Sequence, residues 1–546
     1  MVSAFLIDAI NDPTKVVQEL YEEHTGDIDQ FPAVVARHFS DVFLNSDDTL
    51  REVLPLDVNH SPESFAHRSL VRFHGMVQDT SSSPEMYLAS LNENKCGGWG
   101  ISQDMPASEW PSSFDYCDLK EATALWAVTV PGQTDWRTEE LTSRSHYGSS
   151  SSKSPPQPHK FPVPNAPHIG VQVKIYDNEA AQSLKATDVV TFIGILTSES
   201  LDSEAVSSPM VPSLHVLCHK AQSTDDASPT GELATVRDEL INWIANEALG
   251  GDEVAAQWLV LELSAKVYTR AMPLLPPSLT LSRFPSPTPS SPALPTLHHV
   301  LSDLLPQYLT VPLSLDLLNK ESFSPESKDE DLHSGYLQVP QGTTLLLTEN
   351  GVQEGKLVEK GIMNIRAVQE VMDAQTLEYS FPFSKFSFPT DIVTIVLCDG
   401  RKSAFFQTGF TIPLETKPSL KDNLYKPRDQ IKIPDTVKLA AYRSFLAAAK
   451  RCFGTVQVAE ETSQHIQEDF VRQRQEDPSI TADDLIHLMK VARLLAASML
   501  EREVTVDIWE TSKRLDASRR KRTPCSNSLS SILSGHRISC EHQHHS

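Results

Sequence analysis

The sequence predicts a multidomain α/β protein: a helical and β-rich N-terminal region, an α/β core and a helical C-terminal region. Three observations predict it. Runs that are apolar on both parities, Leu345–Leu347 and DIVTIVLCDGRK (391–402), join a short strand at Leu279–Leu281, and helical stretches separate them. That pattern belongs to a largely parallel sheet between two helical layers. Alternating, β-branched runs occupy much of residues 61–220. From residue 435 to about 522 the apolar residues recur three and four apart. The chain has 546 residues, 40% hydrophobic and 22% charged, which allows about two to four domains with sizeable cores.

In order, residues 1–60 form an N-terminal helical region, carried by PTKVVQELYEEH and FPAVVARHFSDVF. Residues 61–141 are β-rich, with SLVRFHGMVQD, EMYLASL and ATALWAVTVP as strands. Residues 142–160, rich in Ser and Pro, are expected to be a disordered linker. The β-rich part continues over 161–220 with GVQVKIYD and DVVTFIGILTS, and VVTFIGIL suits an OB-type barrel. A second linker covers 221–233. The α/β core spans 234–434 and opens with one long helical pattern over 234–270, where Trp243 and Trp258 are expected to pack. LTLSRFPSPTPSSPALPTLHHVLSDLLP (279–306) reads as strand, Pro/Ser loop and helix, with His298 and His299 at the surface. Residues 435–512 are helical. In SITADDLIHLMKVARLLAASM, Pro478 and Ser479 mark a start, Asp483 and Asp484 sit in the first turn, and Leu485, Leu488, Met489, Ala492, Leu495 and Met499 form the stripe. Residues 513–546 are expected to be a basic, disordered tail.

The formal net charge of −25 repels a phosphate backbone, so direct nucleic-acid binding is disfavoured. No run of about 18 apolar residues predicts a membrane span. The start, MVSAFLIDAINDP, lacks a basic n-region, so no secretory signal is expected. Seven scattered cysteines without C-x-x-C fit a reducing compartment rather than a zinc ribbon or disulfide framework. Cys540, His542, His544 and His545 are read as part of a polar tail rather than as a metal site. Arg72, Phe73 and Lys174 lie in barrel-like strands. They would line a groove for single-stranded DNA, or belong to a barrel that contacts protein, and the second reading is preferred. The cluster Lys513, Arg514, Arg519, Arg520, Lys521 and Arg522 is read as a nuclear-import address in preference to a solvated helix end.

Nucleotide hydrolysis needs a cradle for the β-phosphate, G-x-x-x-x-G-K-S/T, whose backbone N–H groups turn inward. No such string occurs. Its natural place, the loop after Leu279–Leu281, reads Arg283-Phe284-Pro285-Ser286-Pro287-Thr288-Pro289. Proline has no N–H to point at phosphate.

Two resemblances add to this. Leu347, Thr348 and Glu349, followed by Glu370, Val371, Met372, Asp373, Ala374, Gln375 and Thr376, resemble the Walker B region of the minichromosome-maintenance (MCM) replicative helicases. There an apolar strand ends in Asp-Glu and a later helix carries Glu-Val-Met-Glu-Gln-Gln-Thr. The resemblance implies a degenerate AAA+ core, because Thr348 replaces the carboxylate that anchors Mg²⁺. It also implies a helical lid in which Asp483, after Ile480, Thr481 and Ala482, stands where the helicases carry arginine. Cys398-Asp399-Gly400 stands where they carry an asparagine that orients water.

Over residues 65 to 515, the blocks LVRFHGMVQD, MYLAS, VPGQTDW, VKIYDNE with DVVTFIGIL, ELINWIANEALGGDEVAAQWLVLELSAKVYTR and DPSITADDLIHLMKVARLLAAS resemble the MCM complex-binding protein family. The resemblance implies a nuclear, non-enzymatic adaptor without cofactor or metal. Its partners would be MCM helicase subunits, with no membrane and no homo-oligomer. It would regulate assembly or unloading of the MCM complex in DNA replication and contribute to sister chromatid cohesion. The alternative is a replication scaffold that binds single-stranded DNA through the OB-like strands.

Overall fold

The computed structural model describes residues 4–24, 26–89, 119–141, 157–200, 210–222, 233–270, 275–329, 331–352 and 354–522. The linker expected at 142–160 lies outside them up to residue 156. So do most of the linker at 221–233 and the whole tail beyond residue 522, with its cysteines and histidines.

The chain begins with α1 (Ala4–Asn11), α2 (Pro13–Glu23), α3 (Phe31–Phe43) and α4 (Asp47–Arg51). Asp12 caps α2 by accepting the Lys15 N–H, and Pro13 occupies the first turn, where its missing N–H costs nothing. Phe31, Val35, Phe39 and Phe43 recur every four residues on α3 and are all fully buried.

These phenylalanines pack on the outside of a barrel. Its strands are β1 (Pro55–Leu56), β2 (Leu70–Asp79), β3 (Glu85–Leu88), β4 (Leu119–Thr129), β5 (Gly170–Ile175), β6 (Val189–Ser200) and β7 (Met210–Ala221), with α5 (Asp135–Leu141) and α6 (Asn178–Gln182) between them. β2, β4, β5, β7 and β6 close a ring, because β2 pairs with both β4 and β6. Within the ring only β5 and β7 run parallel. Val190, Phe192 and Leu196 of β6 fill the interior with Val71, Phe73 and Leu214. Ile193 and Ile195 face outward onto α3. One strand therefore serves two cores, which is why VVTFIGIL is apolar on both parities. Gly194 sits at a register shift, where a Cβ would stand 2.5 Å from the His215 carbonyl oxygen.

The α/β core contains α7 (Leu233–Ala248), α8 (Glu253–Leu263), β8 (Leu279–Ser282), α9 (Thr296–Leu304), β9 (Tyr308–Pro312), α10 (Leu315–Lys320), β10 (Glu326–Lys328), β11 (Asp331–His333), β12 (Thr344–Thr348), α11 (Glu359–Ala374), β13 (Thr376–Phe381), β14 (Ser384–Pro389), β15 (Val393–Leu397) and β16 (Phe410–Pro413). Five strands, all parallel, lie in the order β16-β8-β15-β12-β9. Side chains alternate between two apolar layers. Leu346, Ile395 and Leu397 join α7, α8 and the C-terminal helices, and Leu345, Leu347 and Val396 join α11. The helical pattern expected over 234–270 breaks in two. Gly250 and Gly251 adopt positive φ of 60° and 82°, and the Gly251 N–H closes α7 on the Ala245 carbonyl at 2.7 Å. The buried carboxylate of Asp252 then caps α8 through the Ala255 N–H at 3.0 Å.

The remaining elements are α12 (Thr436–Phe453), β17 (Gln457–Val458), α13 (Glu460–Glu476), α14 (Ala482–Ser498), β18 (Glu503–Val504) and α15 (Val506–Arg522). On α14 the stripe differs from expectation. Met499 is 46% exposed, whereas Val491 and Leu494 are buried beside Ala492 and Leu495. Residues 513–522, assigned to a disordered tail, are the end of α15. Lys513 Nζ reaches Asp469 at 2.7 Å and Arg522 Nη1 reaches Asp252 at 2.6 Å. Those carboxylates are distant in sequence, so no local pattern announces them.

The barrel docks onto the core through polar contacts. Gln338 Nε2 donates to the Gln78 carbonyl at 2.8 Å, and Trp136 Nε1 donates to the Ser302 carbonyl at 3.1 Å under the guanidinium of Arg443, 3.8 Å from the ring. Lys160, at the end of the expected flexible linker, is buried between Asp79, 2.9 Å away, and Asp331. His159 Nε2 lies 2.7 Å from the Asp331 carboxylate.

Two outcomes follow. Asp252→Ala removes the α8 cap and the shorter of the two ion pairs of Arg522, leaving Glu415 at 3.4 Å, so the urea midpoint of the core should fall by the equivalent of about 2 kcal/mol or more. An unchanged midpoint would remove Asp252 from the fold's energetics. Burial raises the Asp331 carboxyl, but hydrogen bonds from His159 and Lys160 outweigh it and hold the group down to about 2. An unfolded aspartate titrates near about 3.9. The contribution is therefore present above about pH 4 and is lost as pH falls towards about 2. Asp331→Asn should flatten the acid limb of the stability curve in that window, read by tryptophan fluorescence. A limb identical to the unsubstituted chain would contradict it.

Candidate functional site

In parallel α/β sheets, ligands sit beyond the carboxyl ends of the strands, where connections depart to opposite sides. In this sheet that place is the shared edge of β8, β15 and β12. Positions 283–289, 348–349 and 398–399 converge there, and each is occupied by the chain itself.

The loop after β8 turns at Arg283, which takes φ of 56°. The Arg283 N–H donates to the Gly400 carbonyl and the Phe284 N–H to the Cys398 carbonyl, both at 2.9 Å. These two amides of the loop are thus spent on the turn after β15. Phe284 is fully buried and meets Tyr425 edge to face, with centroids 5.9 Å apart. The Pro285 carbonyl accepts from Tyr425 Oη at 2.9 Å and from Asn350 Nδ2 at 3.3 Å. Ser286 Oγ donates to the Asp399 carboxylate at 3.3 Å. Beyond the loop, the Thr296 hydroxyl at the start of α9 accepts the Lys426 N–H at 2.7 Å.

Thr348 ends β12 and is buried; its carbonyl accepts the Leu313 N–H at 2.9 Å. Glu349 follows at the same edge. Its carboxylate accepts from the Ser403 hydroxyl and from the Ala404 N–H, the latter at 2.9 Å. Ser403 Oγ in turn accepts the Phe406 N–H at 2.8 Å. Burial pushes the Glu349 carboxyl up, against the hydrogen bonds from Ser403 and Ala404. Glu349 therefore holds a turn that carries Phe406 into the core. Burial, together with the charges of Glu349 and Asp399, pushes the Cys398 thiol up to about 12, which leaves it a poor nucleophile. Among the described residues, no three His, Cys, Asp or Glu side chains stand together as a metal would require.

The other residues singled out in the sequence fall elsewhere. Asp483 is exposed in the first turn of α14, and beside it Asp484 accepts from the Thr481 N–H at 3.0 Å. Arg520 Nη2 reaches Asp484 at 3.3 Å, so the start of α14 meets the basic end of α15. In that cluster Arg519 and Arg520 pair with Asp516 at 2.7 and 2.6 Å, while Arg514 and Lys521 are exposed. Arg72, Phe73 and Lys174 form no groove, since all three are buried. Phe73 fills the barrel, and Lys174 is held by Glu85 and Glu199, with Glu199 also bound to His215. His298, expected at the surface, is half-buried with Nδ1 2.7 Å from Thr310 Oγ1, and burial beside His299 and Arg428 lowers its pKa to about 4. Trp258 is buried and Trp243 stacks on Tyr442. Ser403, Asn350 and Tyr425, which close the edge, carried no signal in the sequence, because their partners come from other parts of the chain.

Comparison with known proteins agrees over most of the length. The family described as mini-chromosome maintenance replisome factor matches residues 41–160 and 138–523. The chain is 27% identical over 557 residues to the mini-chromosome maintenance complex-binding protein of Arabidopsis thaliana, covering 87% of this chain and 92% of that one. It is 29% identical over 525 residues to the protein of the same name from Danio rerio, covering 86% and 78%. With the human protein of that name it shares 27% over 443 residues, covering 71% and 66%. The chain belongs to the mini-chromosome maintenance replisome factor family.

Proposed function

We propose that this chain is a non-enzymatic nuclear adaptor that binds MCM helicase subunits. In this reading it regulates assembly or unloading of the MCM complex during DNA replication and so bears on sister chromatid cohesion. The observation that carries the reading is the closed edge of the parallel sheet. Arg283 and Phe284 donate their amides to the chain itself, and Glu349 is bound to Ser403 and Ala404. The names of the relatives supply the partner.

Two features support the finer architecture. Numbered along the chain, the parallel strands lie in the order 5-1-4-3-2, with the cradle position after the first and the Walker B position at the end of the third. That supports a degenerate AAA+-like core with α12 to α15 as its lid. The closed ring of β2, β4, β5, β7 and β6, with its single parallel pair, supports an OB-like barrel. An adaptor with a helicase-like scaffold and no phosphate cradle would occupy a subunit face without nucleotide driving it. It would hold that subunit until its proper neighbour displaced it.

The chain should co-purify with MCM subunits after apyrase has removed nucleotide, and calorimetry of the chain with Mg-ATP should show no micromolar binding. A complex that falls apart without nucleotide would sink the mimicry mechanism, and the failure of every MCM subunit to co-purify would sink the adaptor reading. Nuclear import through the basic end of α15 is tested best at its exposed members. Arg519, Arg520 and Arg522 hold ion pairs, so replacing them would disturb the fold. Arg514→Ala with Lys521→Ala should weaken nuclear accumulation in cells and leave the melting temperature within a degree or so. Accumulation unchanged in that variant would place the import signal elsewhere.

A further inference from the structure

The hairpin of β13 and β14 reaches out from the core. Leu377 and Tyr379 of β13 are buried in the apolar layer beside α11. β14 is exposed along all six residues. Leu377 stands opposite Phe388 and Tyr379 opposite Phe386, so the β14 phenylalanines share the face that β13 buries. Phe388 touches Tyr379, with centroids 4.4 Å apart, and Phe386 touches Phe381 at 5.7 Å. Beyond those contacts the rings are open: Phe386 is 54% exposed, Phe388 37%, and Phe383 at the tip is fully exposed.

The hairpin also ends its sheet. The strand order is β11-β10-β13-β14, so among the described residues the outer edge of β14 has no neighbouring strand. Folded proteins blunt such edges with charge, proline or a covering segment, because an open aromatic edge recruits other chains. Here the one charge, Lys385, is neutralised by Glu378 at 2.6 Å, and the one proline, Pro389, comes last. The edge is left receptive.

We propose that β14 is a docking edge which takes an extended, uncharged, apolar segment of a partner protein as an added strand. The segment would bond to the free edge of β14 through its backbone and lay alternate side chains against Phe386 and Phe388, with Phe383 exposed at the neighbouring tip. Charge and size select this occupant. A nucleic acid would find rings to stack on but no free cation in the strand for its phosphates. A second copy of the chain would gain only six residues a side, where a stable dimer uses about 20–30. A single bound strand needs no more than this edge.

The test selects peptides from a displayed library of random short sequences on the intact chain and measures their affinity by fluorescence polarisation. Selected peptides should share alternating apolar residues. They should bind Phe383→Ser/Phe386→Ser at least about tenfold more weakly, and N-methylation along one edge of the peptide should abolish binding. Both rings are exposed, so that variant should keep its circular dichroism melt. Independently of any variant, amide exchange over residues 384–389 should slow when a selected peptide is added. Failure to select a peptide, binding indifferent to the variant or to N-methylation, or unchanged exchange would each overturn the proposal. So would Phe-dependent binding of oligothymidylate, or Phe-dependent self-association of the chain, because each names a different occupant.

Discussion

A parallel sheet must be covered on both faces, since its strands carry apolar side chains up and down. Leu346 points into one layer while Leu345 and Leu347 point into the other, and Ile395 and Val396 repeat the division on β15. The placement of α7, α8 and the C-terminal helices on one side, and of α11 on the other, follows from that need. The barrel meets the same problem on a single strand. β6 fills the interior with Phe192 and presents Ile193 and Ile195 outside, so the N-terminal helices are a cover for the barrel.

Layers held together by apolar contact are pinned at their margins by acids. Asp252 caps α8, accepts the Glu415 N–H at 2.8 Å and pairs with Arg522, which brings three parts of the core to one carboxylate. Asp469 accepts from Trp509 Nε1 at 3.1 Å and Lys513 Nζ at 2.7 Å, fastening α13 to α15. Asp303 takes both ends of the Arg428 guanidinium at 2.7 and 2.6 Å. A buried carboxylate that stays ionised is costly unless donors satisfy it. A chain with net charge −25 thus uses some of its acids as internal fasteners. Glu349 belongs to the same class: a residue that resembles a catalytic acid serves as the anchor of a turn.

The sheet edge and the hairpin are complementary. At the edge Glu349, Ser403 and the amides of Arg283 and Phe284 are answered from within the chain. On β14 backbone and rings are left open, and the result is a surface. Regions that carry interaction rather than packing often sit on arms supported by a rigid scaffold. β13, buried by Leu377 and Tyr379, is the rigid half of this one.

The sequence by itself determined the kinds of element and the order of the layers. Apolar spacing of two or of three to four is imposed by covalent geometry, and it placed the helices of residues 13–43 and the strands at 279, 345 and 393. It also determined that no phosphate cradle of the P-loop type exists, since the G-x-x-x-x-G-K-S/T string is absent and Pro285, Pro287 and Pro289 have no N–H to donate. Only the tertiary structure decided what the polar residues do. It divided the helical pattern at Gly250 and Gly251, buried Lys160 and Lys174, turned Glu349 onto Ser403, and drew the basic residues of α15 onto Asp252, Asp469 and Asp484. A hydrogen bond or ion pair needs a partner within about 3 Å, and these partners lie far away along the chain. Periodicity is written in neighbours a few residues apart, and the pairing of charges is written only in space.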